Sequence, residues 1–430
     1  MLKNYLKTAW RNLLRNRTLS LINLTGLSIS VAFCVLLFFH IRYEQSFDRF
    51  HEKKDRLFRV EATNFWADPS GRAQQSIFAG LTRSEDEDNE LEFPLVVGLD
   101  MQNALPEVRS VTRFEDISRH NGQPLVRANG QVYKEEHALY AEANFFQHFS
   151  FPLLKGNKAT VLAQPGDVVL AEATAKKYFG NADPMGKTIE LVTDSNRLFR
   201  VAGVVADAPA NSSLQFSFVL PLEADGNYQR DLAERFNRNH HFLIVELQPG
   251  VDAAVFEHKL NGWMRSYYLP SLATGYGLKP EVAKRFGFFI RPFADGHFNV
   301  SQGWGHYTDM KSIYQLACIV GIILLLASLN YVLITVSNAA SRSQEIGVRK
   351  VMGAGRGNVI LQFWMETQLL VAAAVNIGMG LALLSAAVEG NHRVRRGIWK
   401  HSLDRGVGGG IGAGDHIGIA GGLLSCYVDL

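Results

Sequence analysis

The sequence predicts an α-helical membrane protein with a large α+β domain outside the membrane, and three observations predict it. Residues 19–41, 312–336 and 367–388 are runs without Asp, Glu, Lys or Arg. At about 1.5 Å rise per residue, each is long enough to cross the ~30 Å hydrocarbon core as a helix. Basic residues gather beside two ends of these runs, and residues 42–311 mix strand-like with helix-like periodicity.

The first run sets the orientation. Lys3, Lys7, Arg11, Arg15 and Arg17 precede it without any acidic residue, and Arg342, Arg349, Lys350 and Arg356 follow the second run against Glu345 and, just before the third run, Glu366. Positive charge marks short cytoplasmic segments, so residues 1–18 and 337–366 are expected inside the cell and residues 42–311 outside it. The formal net charge of +3 decides little, because long translocated domains escape the charge rule. A cleaved signal peptide is the rival reading of the N-terminus. Against it, the apolar run exceeds a usual signal core, and residues 38–43 offer no small-residue cleavage site. Lys3, Lys7, Arg11 and Arg15 recur every four residues, with Leu6, Trp10, Leu13 and Leu14 on other faces. That is the pattern of an interfacial helix along the inner leaflet, although a solvated basic leader has the same charges.

Cys34 and Cys318 lie inside spans and Cys426 near the C-terminus, so the outer domain has no cysteine and cannot rely on disulfides. Residues 57–60, 168–170, 199–205, 241–247 and 288–293 read as strands, and residues 171–179 and 252–268 as helices after turn-rich stretches. The acid-rich stretch 84–92 reads as a solvated loop; its carboxylates are consecutive, unlike the spaced, glycine-containing loops that bind calcium.

Two segments imitate catalytic motifs. Gly180 to Thr188 resembles a phosphate loop, but five residues separate Gly180 from Gly186 where four are required, and Pro184 removes a backbone donor. A helix end at Gly180 and a turn into a strand account for the same residues. His240 and His241 could be metal ligands, yet on a strand they point to opposite faces. Phe145, Phe146, Phe149 and Phe151 fit a packed core better than a ligand cage. Neither a nucleophile elbow nor a His-Glu-x-x-His helix occurs, so the sequence offers no catalytic residue, metal site or cofactor site.

Four stretches carry a family resemblance. Residues 10–17 running into 22–27, residues 145–156 with 183–187, residues 201–216 and residues 345–354 together resemble the MacB/FtsX-type ABC transporter permease family, in the longer form found in Bacteroidetes-like bacteria. The resemblance implies that Glu345, Ile346, Gly347, Val348, Arg349, Lys350, Val351, Met352, Gly353 and Ala354 form the cytoplasmic coupling helix that docks on a separate ATPase. ATP and Mg would then belong to that ATPase dimer. This chain would be no enzyme but the permease of an efflux or mechanotransmission complex in a bacterial inner membrane. The residues suit the role. Glu345 and Arg349 stand one turn apart and can pair, Ile346, Val351 and Met352 can present an apolar patch, and Gly353 with Gly355 can end the helix.

Family members have a fourth span and pair two permease halves, so a second permease subunit or repeat is expected beside the bilayer and the ATPase, with a periplasmic adaptor or envelope protein as a further partner. Here the pattern stops near Ser385. Residues 389–430, with a run from 406 to 422 that is about half glycine, have no helical period, and a frameshifted or truncated reading is expected there. Two other functions stay open: an FtsX-like regulator of a cell-wall hydrolase, for which a smaller outer domain is expected, and a membrane-anchored sensor without an ATPase. Nucleic-acid binding is disfavoured, because the basic residues flank spans where lipid headgroups explain them.

Overall fold

Among the described residues of the computed structural model, three helices are long and apolar enough to cross a membrane: Arg17–Glu44, Met310–Leu333 and Val359–Ser385. The structure describes residues 7, 10–11, 13–15, 17–63, 89–90, 92–192, 196–236, 238–276, 287–298, 307–341, 347–348, 351–352 and 355–403. The chain forms two units, one from Met1–Gln45 with Met310–Leu430 and the other from Ser46–Asp309.

The helical unit contains α1 (Arg17–Glu44), α8 (Met310–Ser341) and α9 (Arg356–Leu403). Helix α9 runs through Asn391 and Arg396 to Leu403, where the sequence reading placed an irregular tail. The physical reason is that Val394, Arg395, Arg396 and their neighbours have adequate helix propensity and no proline interrupts the backbone hydrogen bonds after Ser385. The glycine-rich run 406–422 lies outside the described residues.

Helices α1 and α9 approach backbone to backbone. A Cβ added at Gly378 would lie 2.7 Å from the Ser28 carbonyl oxygen and 2.9 Å from Val31 Cβ. Small residues permit such contact between helices in lipid, where no hydrophobic effect drives association and close packing must supply the attraction. Helices α8 and α9 are tied by Tyr331, whose hydroxyl lies 2.7 Å from Thr367 Oγ1.

Among the described residues, the outer unit is built on one 14-stranded mixed sheet. Its strands are β1 (Leu57–Thr63), β2 (Asn89–Glu90), β3 (Glu92–Phe93), β4 (Val108–Asp116), β5 (Leu125–Ala128), β6 (Gln131–Lys134), β7 (Ala138–Ala141), β8 (Leu153–Lys155), β9 (Asp167–Ala171), β10 (Thr188–Val192), β11 (Arg197–Val205), β12 (Phe218–Pro221), β13 (His241–Leu247) and β14 (Phe288–Pro292). They run in the order β14-β1-β13-β4-β7-β12-β9-β11-β10-β5-β6. Strands β9 with β11 and β7 with β12 pair in parallel, while the other recorded pairs are antiparallel. Helices α2 (Leu95–Ala104), α3 (Ile117–Asn121), α4 (Phe145–His148), α5 (Glu172–Phe179), α6 (Tyr228–Glu234) and α7 (Ala253–Tyr276) complete the unit.

Apolar residues on β1, β4 and β13 pack with Met101 of α2 and Phe256, Leu260 and Met264 of α7. On β9 and β11, Val168, Leu170, Phe199 and Val201 pack with Ala175 and Tyr178 of α5. A third cluster joins Phe145, Phe146, Phe149 and Phe151 to Phe114, Phe216 and Phe293, and rings meet edge to face, as Phe151 does with Phe216 at 5.0 Å between centroids. These four phenylalanines are a packed core.

Part of the resemblance is explained by steric need. Gly156 has φ +101°, and a Cβ there would lie 2.8 Å from the Ala202 carbonyl, while one at Gly203 would lie 3.1 Å from the Lys155 carbonyl. The two glycines let β8 and β11 pair closely: a Cβ at Gly156 would clash with the Ala202 carbonyl, and one at Gly203 would force its neighbours to give by a few tenths of an ångström.

The acid-rich stretch is not wholly a solvated loop. Residues 84–88 and 91 lie outside the described residues, but Asn89–Glu90 pairs with β1, and Glu92 is buried on β3 with its carboxylate 2.9 Å from Arg119. The ion pair makes burial of that carboxylate tolerable, a compensation that local composition does not display.

Candidate functional site

Helix α8 ends at Ser341 and α9 begins at Arg356, so the candidate coupling segment is a short link between two spans. Among its described residues, Gly347, Val348 and Val351 are helical, and the Met352 amide donates to the Val348 carbonyl at 3.0 Å. One helical turn therefore carries Val348, Val351 and Met352, exposed by 62%, 90% and 84%. Three apolar side chains on one short exposed turn suit a protein contact. Gly347 is exposed, and a Cβ added there meets nothing within 4 Å. Gly355 is not helical, and α9 starts directly after it. Glu345, Ile346, Arg349, Lys350, Gly353 and Ala354 lie outside the described residues, as does the expected Glu345 to Arg349 pair.

A second feature lies where the chain enters the outer unit. Residues 46–51 are clamped by the loop 211–213, inside the stretch 201–216 that carries the family resemblance. The Asp48 amide donates to the Asn211 carbonyl at 3.0 Å, and Asn211 Nδ2 donates to Ser46 Oγ at 3.0 Å. Asp48 Oδ1 accepts from the Ser213 amide at 2.9 Å and from Ser212 Oγ at 3.2 Å. Asp48 has φ 54°, a left-handed conformation that Asp adopts more readily than bulkier residues. Burial raises its carboxyl pKa to about 6 despite these donors.

His51 extends the clamp into the aromatic core. Its Nδ1 accepts from the Ser150 amide at 3.0 Å, and its ring meets Phe149, Phe151 and Phe293. Burial lowers its pKa to about 4, so the ring is neutral near pH 7. The returning segment joins the same place. His297 stacks on Phe47 with centroids 3.5 Å apart, and its carbonyl accepts from the Thr308 amide at 2.8 Å. Lys53 adds a 2.9 Å ion pair to Glu246 on β13. Thus the outgoing and incoming chains are held together at one point of the outer unit.

Sequence reasoning missed this clamp. Asp48 and residues 211–213 are 163 or more positions apart, and the only local signal was the polar run Asn211-Ser212-Ser213 after Pro209.

The imitated motifs hold no ligand machinery. In the phosphate-loop lookalike, the Gly186 amide donates to the Val201 carbonyl at 2.8 Å and the Lys187 amide to the Pro184 carbonyl at 3.1 Å. Lys187 Nζ lies over the Phe179 ring at 4.8 Å. The donors that would cradle phosphate are spent on the turn. His240 and His241 do not diverge as an ideal strand would place them. Both lie near Glu115, with His240 Nδ1 at 3.7 Å and His241 Nε2 at 3.6 Å, because β13 begins only at His241 and His240 still belongs to the preceding loop. Arg238 is 3.6 Å from the same carboxylate and supplies it with a positive charge. Among the described residues, no group of three or more His, Cys, Asp or Glu could hold a metal ion.

Two family models match the chain: a MacB-like periplasmic core domain over residues 20–262 and an FtsX-like permease C-terminal region over residues 317–395. The second match continues past Ser385, where the sequence reading ended the resemblance. The chain is 32% identical over 95 residues to YknZ, an uncharacterised ABC transporter permease of Bacillus subtilis, a match covering 21% of this chain and 24% of that one. It is 24% identical over 229 residues to the macrolide export ATP-binding/permease protein MacB of Bdellovibrio bacteriovorus, covering 52% of this chain and 32% of that one. These matches span about a quarter to a third of the length of the two proteins. Among solved structures, the periplasmic region of MacB from Actinobacillus actinomycetemcomitans aligns with a TM-score of 0.34 at 18% identity, covering 56% of this chain and 89% of that one.

Proposed function

Because the chain belongs to the family of ABC transporter permeases with a MacB-like periplasmic core domain and an FtsX-like permease region, we propose that it is the membrane subunit of an efflux or mechanotransmission complex. ATP is hydrolysed on a separate ATPase dimer, which grips residues 345–354 from the cytoplasm. The observation that carries this reading is the exposed apolar turn of Val348, Val351 and Met352 between two spans. Basic residues at both inner ends of the spans support its cytoplasmic placement.

The ties in the structure support a mechanical role. A displacement of the coupling turn acts on α8 and α9 at once, because Tyr331 and Thr367 bind the two helices above it. Helix α9 is engaged with α1 at Gly378 and Ser28. Helix α1 runs on into residues 46–51, the clamped start of the outer unit. The complex contains two permease subunits around the ATPase dimer, in keeping with closed two-fold assembly.

Replacing Gly347 with Asp tests the reading. The site has room for the new side chain, so insertion of the permease into the membrane is expected to be unchanged. A carboxylate pressed unpaired into a dry interface costs about 3 kcal/mol or more, which lowers affinity for the ATPase at least a hundredfold. Co-purification of the ATPase at the wild-type level with Gly347→Asp and with Val351→Asp would overturn the assignment.

A further inference from the structure

The helical unit holds a groove of about 240 Å³ between the N-terminal part of the chain and α9. Trp10, Leu14, Leu21 and Leu24 form one wall, and Leu369 and Leu370 form the other. The groove exists because the chain turns before α1. Ser20 Oγ donates to the Leu13 carbonyl at 3.1 Å, seven positions away, whereas a continuous helix would separate those residues by roughly 10 Å. The turn brings Trp10 and Leu14 beside Leu21 and leaves apolar side chains lining an opening.

Charge identifies the occupant. Among the described residues that line the groove, Arg17 carries the only charge, and it spends its Nε donor on the Leu14 carbonyl at 3.1 Å while its side chain stays exposed. Lys7, Arg11 and Arg15 are also exposed nearby in the sequence, and the first acidic residue of the chain is Glu44. The groove is smaller than the ~300–1,000 Å³ of pockets that enclose drug-sized ligands, so it suits one flexible alkyl chain. Trp10 at its rim is the residue type that settles at the level of lipid headgroups. A ligand with a slender apolar tail and a negative head satisfies all of these features. We propose that the groove binds one anionic phospholipid of the surrounding leaflet, its acyl chain between Leu21 and Leu370 and its phosphate on Arg17. This assignment needs only the membrane spans and stands apart from the ATPase reading.

The test uses the full chain reconstituted in nanodiscs containing equal amounts of phosphatidylglycerol and phosphatidylcholine, then released into mild detergent, with retained lipid counted by native mass spectrometry. Wild type is expected to keep one phosphatidylglycerol per chain with a preference of about fivefold over phosphatidylcholine. Arg17→Gln is expected to bring that preference close to unity. Leu21→Trp and Leu14→Trp fill the groove from positions that are 61% and 47% exposed, so folding is spared and retention of both lipids falls. A thermal melt of each variant confirms the fold. Equal retention of the two lipids by wild type, unchanged preference in Arg17→Gln, or unchanged retention in both tryptophan variants that fold would overturn the proposal. So would disulfide cross-linking through Leu21→Cys that shows a second copy of the chain seated in the groove.

Discussion

Gly378 is the position at which a single methyl group distinguishes close helix packing from incidental proximity. A Cβ added there would meet the Ser28 carbonyl oxygen at 2.7 Å, and ordinary contact begins at 3.4 Å, so α1 and α9 must separate locally by roughly 0.7 Å. The obstacle is backbone, which cannot rotate aside as a side-chain tip can. Overpacking of this kind costs about 1–3 kcal/mol. Against it stands the gain of up to about 1 kcal/mol that Ala has over Gly within a helix. Gly378→Ala is therefore expected to destabilise the helical unit by about 1–2 kcal/mol. Gly380 supplies the control, because it lies in the same helix and a Cβ there meets nothing within 4 Å. Gly380→Ala should be neutral or stabilising by up to about 1 kcal/mol. Unfolding of the full chain in mixed micelles by increasing sodium dodecyl sulfate, followed by tryptophan fluorescence, reads both variants against wild type. If Gly378→Ala unfolds at the same detergent fraction as Gly380→Ala, the close approach of α1 and α9 is not part of the folded membrane unit.

Two more perturbations follow from the geometry. Tyr331→Phe removes the hydrogen bond to Thr367 and should cost about 0.6 kcal/mol in the same detergent titration, while lowering ATPase stimulation by the permease more than ATPase binding. Acid should weaken the outer unit, since burial lowers the pKa of His51 and His148 to about 4 and of His241 to about 3, each from 6.5. The unfolded chain protonates these rings near pH 6.5 and the folded one only near the lower values. Their stabilisation, about 3 kcal/mol each for His51 and His148 and about 5 kcal/mol for His241, is complete above pH 6.5 and lost as pH falls toward 4 for the first two and toward 3 for the third. Asp48, raised to about 6, works the other way: its contribution is full below its unfolded value near 3.8 and is lost as pH rises through 6, so it offsets about one of the three histidines. Urea unfolding of the full chain, followed by circular dichroism, should show a lower midpoint at pH 5 than at pH 7.5; an equal or higher midpoint at pH 5 contradicts the burial argument.

What could be read from the sequence depended on how local the determining physics is. The spans were legible because water must be excluded along some twenty consecutive residues, and no distant contact can replace that requirement. Strands β9 and β13 were legible because Val168 to Leu170 and Phe242 to Val245 are buried on both faces and read as unbroken apolar runs. The parallel pairing of β7 with β12 was not legible. Ala138–Ala141 and Phe218–Pro221 are short, and their register is fixed by neighbours some eighty residues away. Glu92 was misplaced for a similar reason, since Arg119 neutralises it from a helix that no acid-rich pattern reveals. In the candidate site, Val351 and Met352 were expected with Ile346 in an apolar patch because the order of residues 345–354 resembles a family segment, whereas the exposure of Val348 beside them came from the structure. Asp48 could not, because nothing in Ser46 to His51 announces that Ser212 and Ser213 wait for its carboxylate.

The clamp also bears on why a charged group is kept at that place. A carboxyl raised to about 6 is mostly ionised near pH 7, and the fold bears the expense of burying it. A serine or asparagine could accept the Ser213 amide without that cost. What the carboxylate adds is strength and direction, because a charged acceptor binds its donors roughly twice as strongly as a neutral one and Oδ1 takes two of them. A joint that only had to remain folded would gain little from the exchange. A joint pulled at one end by a helix gains stiffness where the carboxylate adds to the neutral ties from Asp48 to Asn211, from Asn211 to Ser46 and from Ser150 to His51. The left-handed backbone at Asp48 points the same way, since a residue held away from its easiest conformation stays there only when its surroundings fix it firmly. Stability given up at Asp48 is thus consistent with a joint selected for transmitting displacement, the property that the proposed function requires of residues 46–51.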